Sequence, residues 1–178
     1  GLTLIFSMMG VLNFAHASVF MLGAYLSFQL GRWVGFWPAL VIAPVLCGLA
    51  GAAIERYGLR RVHARGHVAE ILFTFGLAYV IEEVVTMIWG RNAVANNVPA
   101  VIDFPLFTVF GSTFPAYKGL MMAISIAMFV FLYLALKKTR IGLVIQAALT
   151  HPKMVSALGH DVPGVFVLVF AVGSGLAG

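Results

Sequence analysis

Long apolar stretches, separated by short charged segments, make up most of the chain. Residues 1–30 contain no Asp, Glu, Lys or Arg, but a polar step from Asn13 to His16 interrupts them. A helix of thirty residues would be about 45 Å long, whereas about 20 residues cross a hydrocarbon core of ~30 Å. The stretch is too long for one straight span and too short for two. We therefore expect a first helix that is broken near residues 13–17.

Further apolar segments have the length and composition of membrane spans. They are residues 36–54, 68–89 and 120–136, and a segment that begins at Val162. Because the chain begins and ends inside apolar stretches, we expect it to be a truncated piece of a longer protein. The predicted fold class is an all-α, polytopic transmembrane helical bundle, with residues 1–178 forming a single transmembrane domain.

Composition supports a membrane protein and argues against other classes. Hydrophobic residues make up 62% of the chain and charged residues only 10%, whereas soluble domains carry about 25% charged residues. The net charge of +5 does not indicate nucleic acid as a partner, because the basic residues form no extended basic face. The single cysteine, Cys47, lies in an apolar run, so the sequence contains neither a disulfide framework nor a metal-ligand spacing.

The distribution of basic residues predicts how the spans are oriented. Residues 55–67 and 137–161 contain eight of the eleven Lys and Arg residues, and both segments lie on the same side by span parity. The positive-inside rule places these two segments in the cytoplasm. Trp33, Trp37 and Trp89 lie near span ends on the opposite side, as expected of an interfacial aromatic belt.

Two connections are long enough to have structure of their own. The outer one, residues 90–117, contains a β-prone run with Gly111 and Ser112 placed for a tight turn. We expect a small extracytoplasmic hairpin there, which is either a lid over the helices or a surface for an external partner. The inner one, residues 137–161, predicts two amphipathic helices, the first over residues 141–149.

The second of these helices has recognisable end signals. Thr150 is expected to cap it, with Pro152 in its first turn and Gly159 just after its last. Three apolar residues then share one face, at i, i+3 and i+4 spacing: Met154, Val155 and Leu158. Periodicity leaves two interpretations open, docking onto another protein or resting on lipid headgroups.

Some acidic and histidine residues call for separate interpretation. Glu82 and Glu83 lie inside a predicted span, where carboxylates are candidates for function. Adjacent helical residues point about 100° apart, so the two cannot face one site. We interpret them as helix-packing or interfacial groups, with Arg91 as a candidate partner. Asp103 is interpreted as a turn or surface residue of the hairpin, and Asp161 as a cap for the last span.

The histidines of the first basic segment resemble a metal site only loosely. His63 and His67 are four residues apart, and Glu70 follows them. No Glu directly follows His63, and the surrounding basic charge repels cations. We therefore interpret this segment as a solvated loop and assign no metal ligand in the chain.

Four collinear sets of residues carry a resemblance to a known family. They are GLTLIF, VLNFAH and MLGAY within residues 1–25, ERYGLRR at 55–61 with TFGLA at 74–78, TRIG at 139–142, and MVSALG at 154–159 with GLAG at 175–178. Over essentially the whole chain, these strings resemble the permease subunits of branched-chain amino acid ABC importers. Two positions depart from the family pattern: Ala17, where Gly is frequent, and Gln146, where Arg is frequent.

The resemblance implies a multi-pass subunit of the bacterial inner membrane that is not an enzyme and binds no cofactor. ATP is bound by two separate cytoplasmic ATP-binding subunits, and a periplasmic binding protein delivers the substrate. The pathway would be formed with a second permease, identical or different, in the lipid membrane. Residues 139–159 would be the coupling segment that contacts the ATPase, with these candidate residues: Arg140, Gln146, Ala147, Ala148 and Gly159.

The physics of the broken helix suggests where a substrate would bind. A half-helix begins with unsatisfied N–H groups and partial positive charge. Asn13 is placed to cap it and His16 to bond freed carbonyls, and the carboxylate of an amino acid would be stabilised there. Asn13, His16 and Ala17 are therefore candidates for the translocation pathway. The competing interpretation is that Asn13 and His16 only repair the break.

Three function classes fit the sequence to different degrees. The first is the ABC importer subunit, for branched-chain or other amino acids, urea or short amides. The alternative is an ion-coupled secondary transporter acting alone, which only Glu82 and Glu83 support and which needs no docking segment. An intramembrane enzyme would require a partner for His16, and the sequence offers none.

Overall fold

The computed structural model describes residues 13–63, 65–91, 102, 104–109, 112–159 and 161–178. The chain divides into two compact units, residues 1–92 with 147–178, and residues 93–146. In chain order the helices are α1 Ala15–Val34, α2 Phe36–Ala53, the π-helical segment Ile54–Leu59, α3 Arg60–His63, α4 His67–Trp89, α5 Ala116–Lys138, α6 Arg140–Thr150, α7 Pro152–Ala157 and α8 Val162–Gly175.

The helical class is confirmed, and so are the main apolar spans. Within the described residues, Phe36–His63, His67–Trp89 and Ala116–Lys138 are long and apolar enough to cross a membrane. Val162–Gly175 is a shorter apolar helix. The first half of the predicted broken helix falls on residues 1–12, outside the described part, so the break stays a prediction; α1 begins at Ala15, where the second half is expected. The single-domain expectation stays a prediction.

Small residues bring α2 and α8 close together in the first unit. A Cβ added at Gly51 would overlap the side chain of Ser174, and Gly48 lies against Gly175. In lipid, such close approach increases dispersion contacts, which replace the hydrophobic effect between helices. The intramolecular packing expected of these small-residue runs is therefore present. Helix α2 also packs against α1.

Helix α1 is held to α4 by aromatic contacts at both ends. The Trp89 Nε1–H donates a hydrogen bond to Gln29 Oε1 at 3.2 Å, and its ring lies 5.4 Å from that of Tyr25. At the other end, the Phe14 and Phe75 rings meet edge to face, with centroids 6.2 Å apart. This pairing fixes the start of α1 beside the middle of α4.

The second unit contains the predicted hairpin. Strands β1, Pro105–Val109, and β2, Ser112–Pro115, pair antiparallel, and Val109 is opposite Ser112. Ser112 therefore belongs to β2, and its predicted place in the turn is wrong, because the strand pairing continues one residue further than turn chemistry indicated. Gly111 and Asp103 lie outside the described residues. Helix α5 follows β2 directly, and Ala116 N–H donates to the Phe104 carbonyl at 2.8 Å.

The corner between α5 and α6 is built by two residues of the TRIG string. Thr139 Oγ1 accepts a hydrogen bond from Gly142 N–H at 3.0 Å and donates one to the Ala135 carbonyl. A Cβ at Gly142 would overlap the carbonyl oxygens of Ala135 and Leu136. Thr139 is therefore the cap of α6, a role that the sequence analysis missed although Thr is a preferred N-cap residue.

Helix α7 differs from its prediction in its cap and in its buried face. Thr150 is the last residue of α6, and His151 takes the N-cap position of α7, so the predicted cap is wrong. Pro152 begins the helix and Gly159 follows it with φ +84°, both as expected. Of the predicted apolar face, Val155 is 4% exposed, whereas Met154 and Leu158 are 66% and 78% exposed.

Candidate translocation site

Asn13 stabilises the start of α1. Its side-chain Oδ1 accepts a hydrogen bond from Ala15 N–H at 3.1 Å, and its backbone carbonyl accepts one from His16 N–H at 3.1 Å. These bonds satisfy the acceptor side of the capping role expected of Asn13. The residue is only 4% exposed, so this polar group is held inside the protein.

A cavity of about 560 Å³ opens beside this helix start. Asn13, His16 and Ala17, the three residues proposed from the sequence, all line it. The structure adds residues from α1 and from the end of α8: Phe14, Phe20, Leu176 and Ala177. Sequence reasoning missed Leu176 and Ala177, because only tertiary packing brings them to α1.

Two buried side-chain atoms of the residues that line this cavity lack partners within the described part of the chain. Asn13 Nδ2 and His16 Nδ1 are both buried, and neither has a hydrogen-bond partner among the described residues. An unbonded buried polar group costs about 1–3 kcal/mol, so both atoms favour a ligand or water that supplies a bond. Within the described residues, the repair interpretation therefore accounts for Asn13 Oδ1 but not for Asn13 Nδ2 or His16 Nδ1.

Ala17 needs no special backbone geometry. It lies in the first turn of α1 and is exposed to the cavity. An alanine favours a helix by about 1 kcal/mol over glycine, so Ala17 is compatible with a helix that begins at Ala15.

The coupling candidates are divided between the two compact units. Arg140 and Gln146 belong to the second unit; both are exposed, and Gln146 Nε2–H donates to the Leu136 carbonyl at 2.9 Å. Ala147, Ala148 and Gly159 belong to the first unit. Ala147 is exposed and Ala148 is 1% exposed, so of these two alanines only Ala147 is open to a partner.

The histidines of the first basic segment surround a buried carboxylate. Glu70 is 2% exposed; it contacts His63 Nδ1, and its Oε2 lies 3.4 Å from His67 Nδ1. The solvated-loop interpretation is therefore wrong for Glu70, because helix α4 turns it inward while both histidines stay half exposed. Glu55 is also 2% exposed, and its Oε2 is unbonded. The described residues contain no group of three ligating side chains placed for a metal ion.

The sequence carried a signal for this cluster. Glu70 follows His67 by three positions, a helical spacing that places these two on one face of α4, whereas His63 ends the preceding helix and reaches the carboxylate only through the turn at Gly66. Burial of the carboxylate depends on packing of α4 against the π-helical segment and could not be read from spacing.

The remaining acidic candidates have clear positions. Asp161 occupies the N-cap position of α8, where its carbonyl accepts Val165 N–H at 3.1 Å and its side chain makes no capping bond. Glu82 and Glu83 are exposed on α4, and the described part of the chain gives neither carboxylate an ion pair. Pairing with Arg91 is therefore absent from the described residues.

Comparisons with known proteins agree with this architecture. The family model of the permease component of branched-chain amino acid transport systems matches residues 1–178. The chain is 26% identical to the high-affinity branched-chain amino acid transport system permease protein LivH of Escherichia coli K12, over 99% of this chain and 61% of that protein. It is 22% identical to the permease protein BraD of Pseudomonas aeruginosa, over 99% and 62%.

An archaeal relative gives a similar result. The probable branched-chain amino acid transport permease protein LivH of Methanocaldococcus jannaschii is 29% identical over 100% of this chain and 58% of that protein. The chain thus spans about three-fifths of the length of these curated relatives. No solved structure matches it significantly. Because the family model covers every residue, the chain belongs to the family of permease components of branched-chain amino acid transport systems.

Proposed function

We propose that this chain forms part of the translocation pathway of an ATP-driven amino acid importer in the bacterial inner membrane. The observation that carries the proposal is the cavity at the start of α1, which is lined by Asn13 and His16. The partial positive charge of a helix N-terminus is suited to the carboxylate of an amino acid.

The cavity also suits the rest of such a substrate. Its volume falls in the range of about 300–1,000 Å³ that is typical of small-molecule sites. Phe14, Phe20 and Leu176 line it, and apolar walls of this kind favour an aliphatic side chain. Together with the names of the relatives, this lining supports branched-chain amino acids as the substrate class.

The partners follow from the same proposal. Separate ATP-binding subunits drive transport and contact the inner segment, where Met154 on α7 and Leu158 just after it form an exposed apolar pair. A short helix with exposed apolar side chains is suited to a groove on a partner protein. A second permease completes the pathway, and a periplasmic binding protein delivers the substrate from the opposite side of the membrane.

Uptake by the full-length permease, assembled with its ATP-binding subunits and binding protein in proteoliposomes, tests the proposal. We expect ATP-dependent leucine uptake, and we expect His16→Ala to lower its rate about tenfold while the complex still assembles. Ser18→Ala is the matched control, because Ser18 lies one residue from Ala17 and does not line the cavity. Uptake that persists without ATP and follows an ion gradient would favour the secondary-transporter alternative and overturn the proposal.

A further inference from the structure

Helix α4 has a polar and aromatic face that is largely exposed among the described residues. Its buried side contains Glu70, Thr74 and Val85. A different side carries Phe75, Tyr79, Glu82, Glu83 and Thr86. At about 100° per residue these five positions fall within an arc of about 100°, and we call them the α4 face. Phe75 and Tyr79 are 50% and 61% exposed, and both glutamates are exposed.

The α4 face is joined to the cavity by ring contacts. Phe14 lines the cavity and meets Phe75 edge to face at 6.2 Å. Phe75 in turn meets Tyr79 at 5.1 Å, one helical turn further along α4. Glu82 and Glu83 lie one more turn along, about 10 Å from Phe75. An aromatic track therefore connects the unbonded donor of Asn13 with two carboxylates.

These carboxylates cannot face lipid. Glu83 lies six residues before Trp89, about 9 Å inside the end of an apolar span. A charged side chain inside the hydrocarbon region of a bilayer is costly, so such groups face protein or water. Within the described ranges neither carboxylate has an ion pair, and a buried, unbonded Asn13 Nδ2 lines the cavity at the other end of the track.

We propose that the α4 face lines the water-filled part of the pathway and binds the ammonium group of the amino acid substrate. Carboxylates attract an ammonium ion directly, and aromatic faces attract it through their quadrupole. Because the carboxylates and Asn13 are too far apart to hold one amino acid together, they act in succession. The α4 face receives the ammonium group, and the start of α1 then receives the carboxylate. This inference rests on the proposed function.

Cysteine labelling of the assembled, full-length complex tests the inference. Tyr79→Cys is treated with a cationic and an anionic methanethiosulfonate, neither of which crosses membranes. We expect the cationic reagent to react about tenfold faster, because two carboxylates raise the local cation concentration. The preference should disappear when Glu82→Gln and Glu83→Gln are added. Cys47 is buried, so the parent chain supplies an unlabelled background.

Val84→Cys is the matched control, because Val84 lies at the depth of Glu83 but about 180° from Phe75 around the helix. It should stay unlabelled by both reagents. Phe75→Cys gives a second reporter on the α4 face that leaves both carboxylates in place. Failure of both reporters to label, or equal rates with the two reagents, would overturn the inference.

Two further measurements separate this inference from the proposed function. If the parent complex transports leucine but the Glu82→Gln/Glu83→Gln variant matches its rate, the ammonium site is wrong and the proposed function stands. Loss of the second permease from that variant on purification would mean that the carboxylates pair with another helix, and would also overturn the inference. A parent complex that transports no amino acid contradicts the proposed function itself.

Discussion

The side-chain oxygen of Asn13 accepts the backbone N–H of Ala15 at 3.1 Å, while the buried amide nitrogen of the same side chain has no partner among the described residues. One residue therefore both stabilises the start of a helix and keeps a donor available beside a cavity. The two atoms can be separated by substitution, because aspartate keeps the acceptor and removes the donor.

Asn13→Asp and Asn13→Ala should therefore have different effects. We expect Asn13→Ala to lower the free energy of unfolding by about 1 kcal/mol, since the cap is lost. Asn13→Asp should keep the capping bond to Ala15 N–H but lower leucine uptake, because the donor is gone and a negative charge repels the substrate carboxylate. Thermal unfolding in detergent and uptake in proteoliposomes measure the two effects. Equal uptake by Asn13→Asp and the parent would contradict a role for Nδ2.

Gly142→Ala should disrupt the corner between α5 and α6. A Cβ there would overlap the carbonyl oxygens of Ala135 and Leu136, so the backbone must shift. We expect a loss of about 1–3 kcal/mol in the free energy of unfolding. Gly76→Ala is the control, because a Cβ at Gly76 meets nothing within 4 Å, and its helix should gain about 1 kcal/mol. Equal stability of the two variants would contradict the close approach at Gly142.

Glu70→Ala should destabilise the first unit far more than His67→Ala. The carboxylate is 2% exposed and contacts two histidines, whereas the His67 side chain is 59% exposed. Removing the carboxylate leaves a cavity and two unpaired rings, and we expect a loss of about 2–4 kcal/mol. His67→Ala should cost less than about 1 kcal/mol. Thermal unfolding compares the two variants, and a larger effect for His67→Ala would show that the histidine carries the contact.

Charge on the exposed side of α7 should separate the permease from its ATP-binding subunits. We expect Leu158→Glu to abolish their co-purification without changing thermal unfolding, because Leu158 is 78% exposed. Ser156→Glu is the matched control, since Ser156 lies on the same short helix about 160° away. Retention of the ATP-binding subunits by Leu158→Glu would place the contact elsewhere.

The two alanines of the coupling segment, Ala147 and Ala148, are not equally suitable for substitution. A bulky residue at Ala148 would disturb the interior, because Ala148 is 1% exposed, and its effect on the ATPase could not be interpreted. Ala147 is exposed, so Ala147→Phe is the cleaner substitution. We expect it to weaken co-purification of the ATP-binding subunits while thermal unfolding stays unchanged.

Local patterns determined the helices and most of their ends. The lengths of the apolar runs set the spans, and the conformational limits of Pro152 and Gly159 set the two ends of α7. The local pattern gave the wrong residue where two neighbouring residues were both candidates for the N-cap position of α7. Thr150 has the better capping side chain, but α6 continues through it and His151 takes the cap.

Burial was decided by tertiary structure alone. The spacing places His67 and Glu70 on one face of α4, but only tertiary packing brings His63 to the carboxylate and determines that the carboxylate is inside and the histidines are partly outside. The sequence likewise selected Asn13, His16 and Ala17, while Leu176 and Ala177 complete their cavity from a distant part of the chain. Periodicity is a property of neighbouring residues, whereas a cavity depends on the long-range contacts that bring separate helices together.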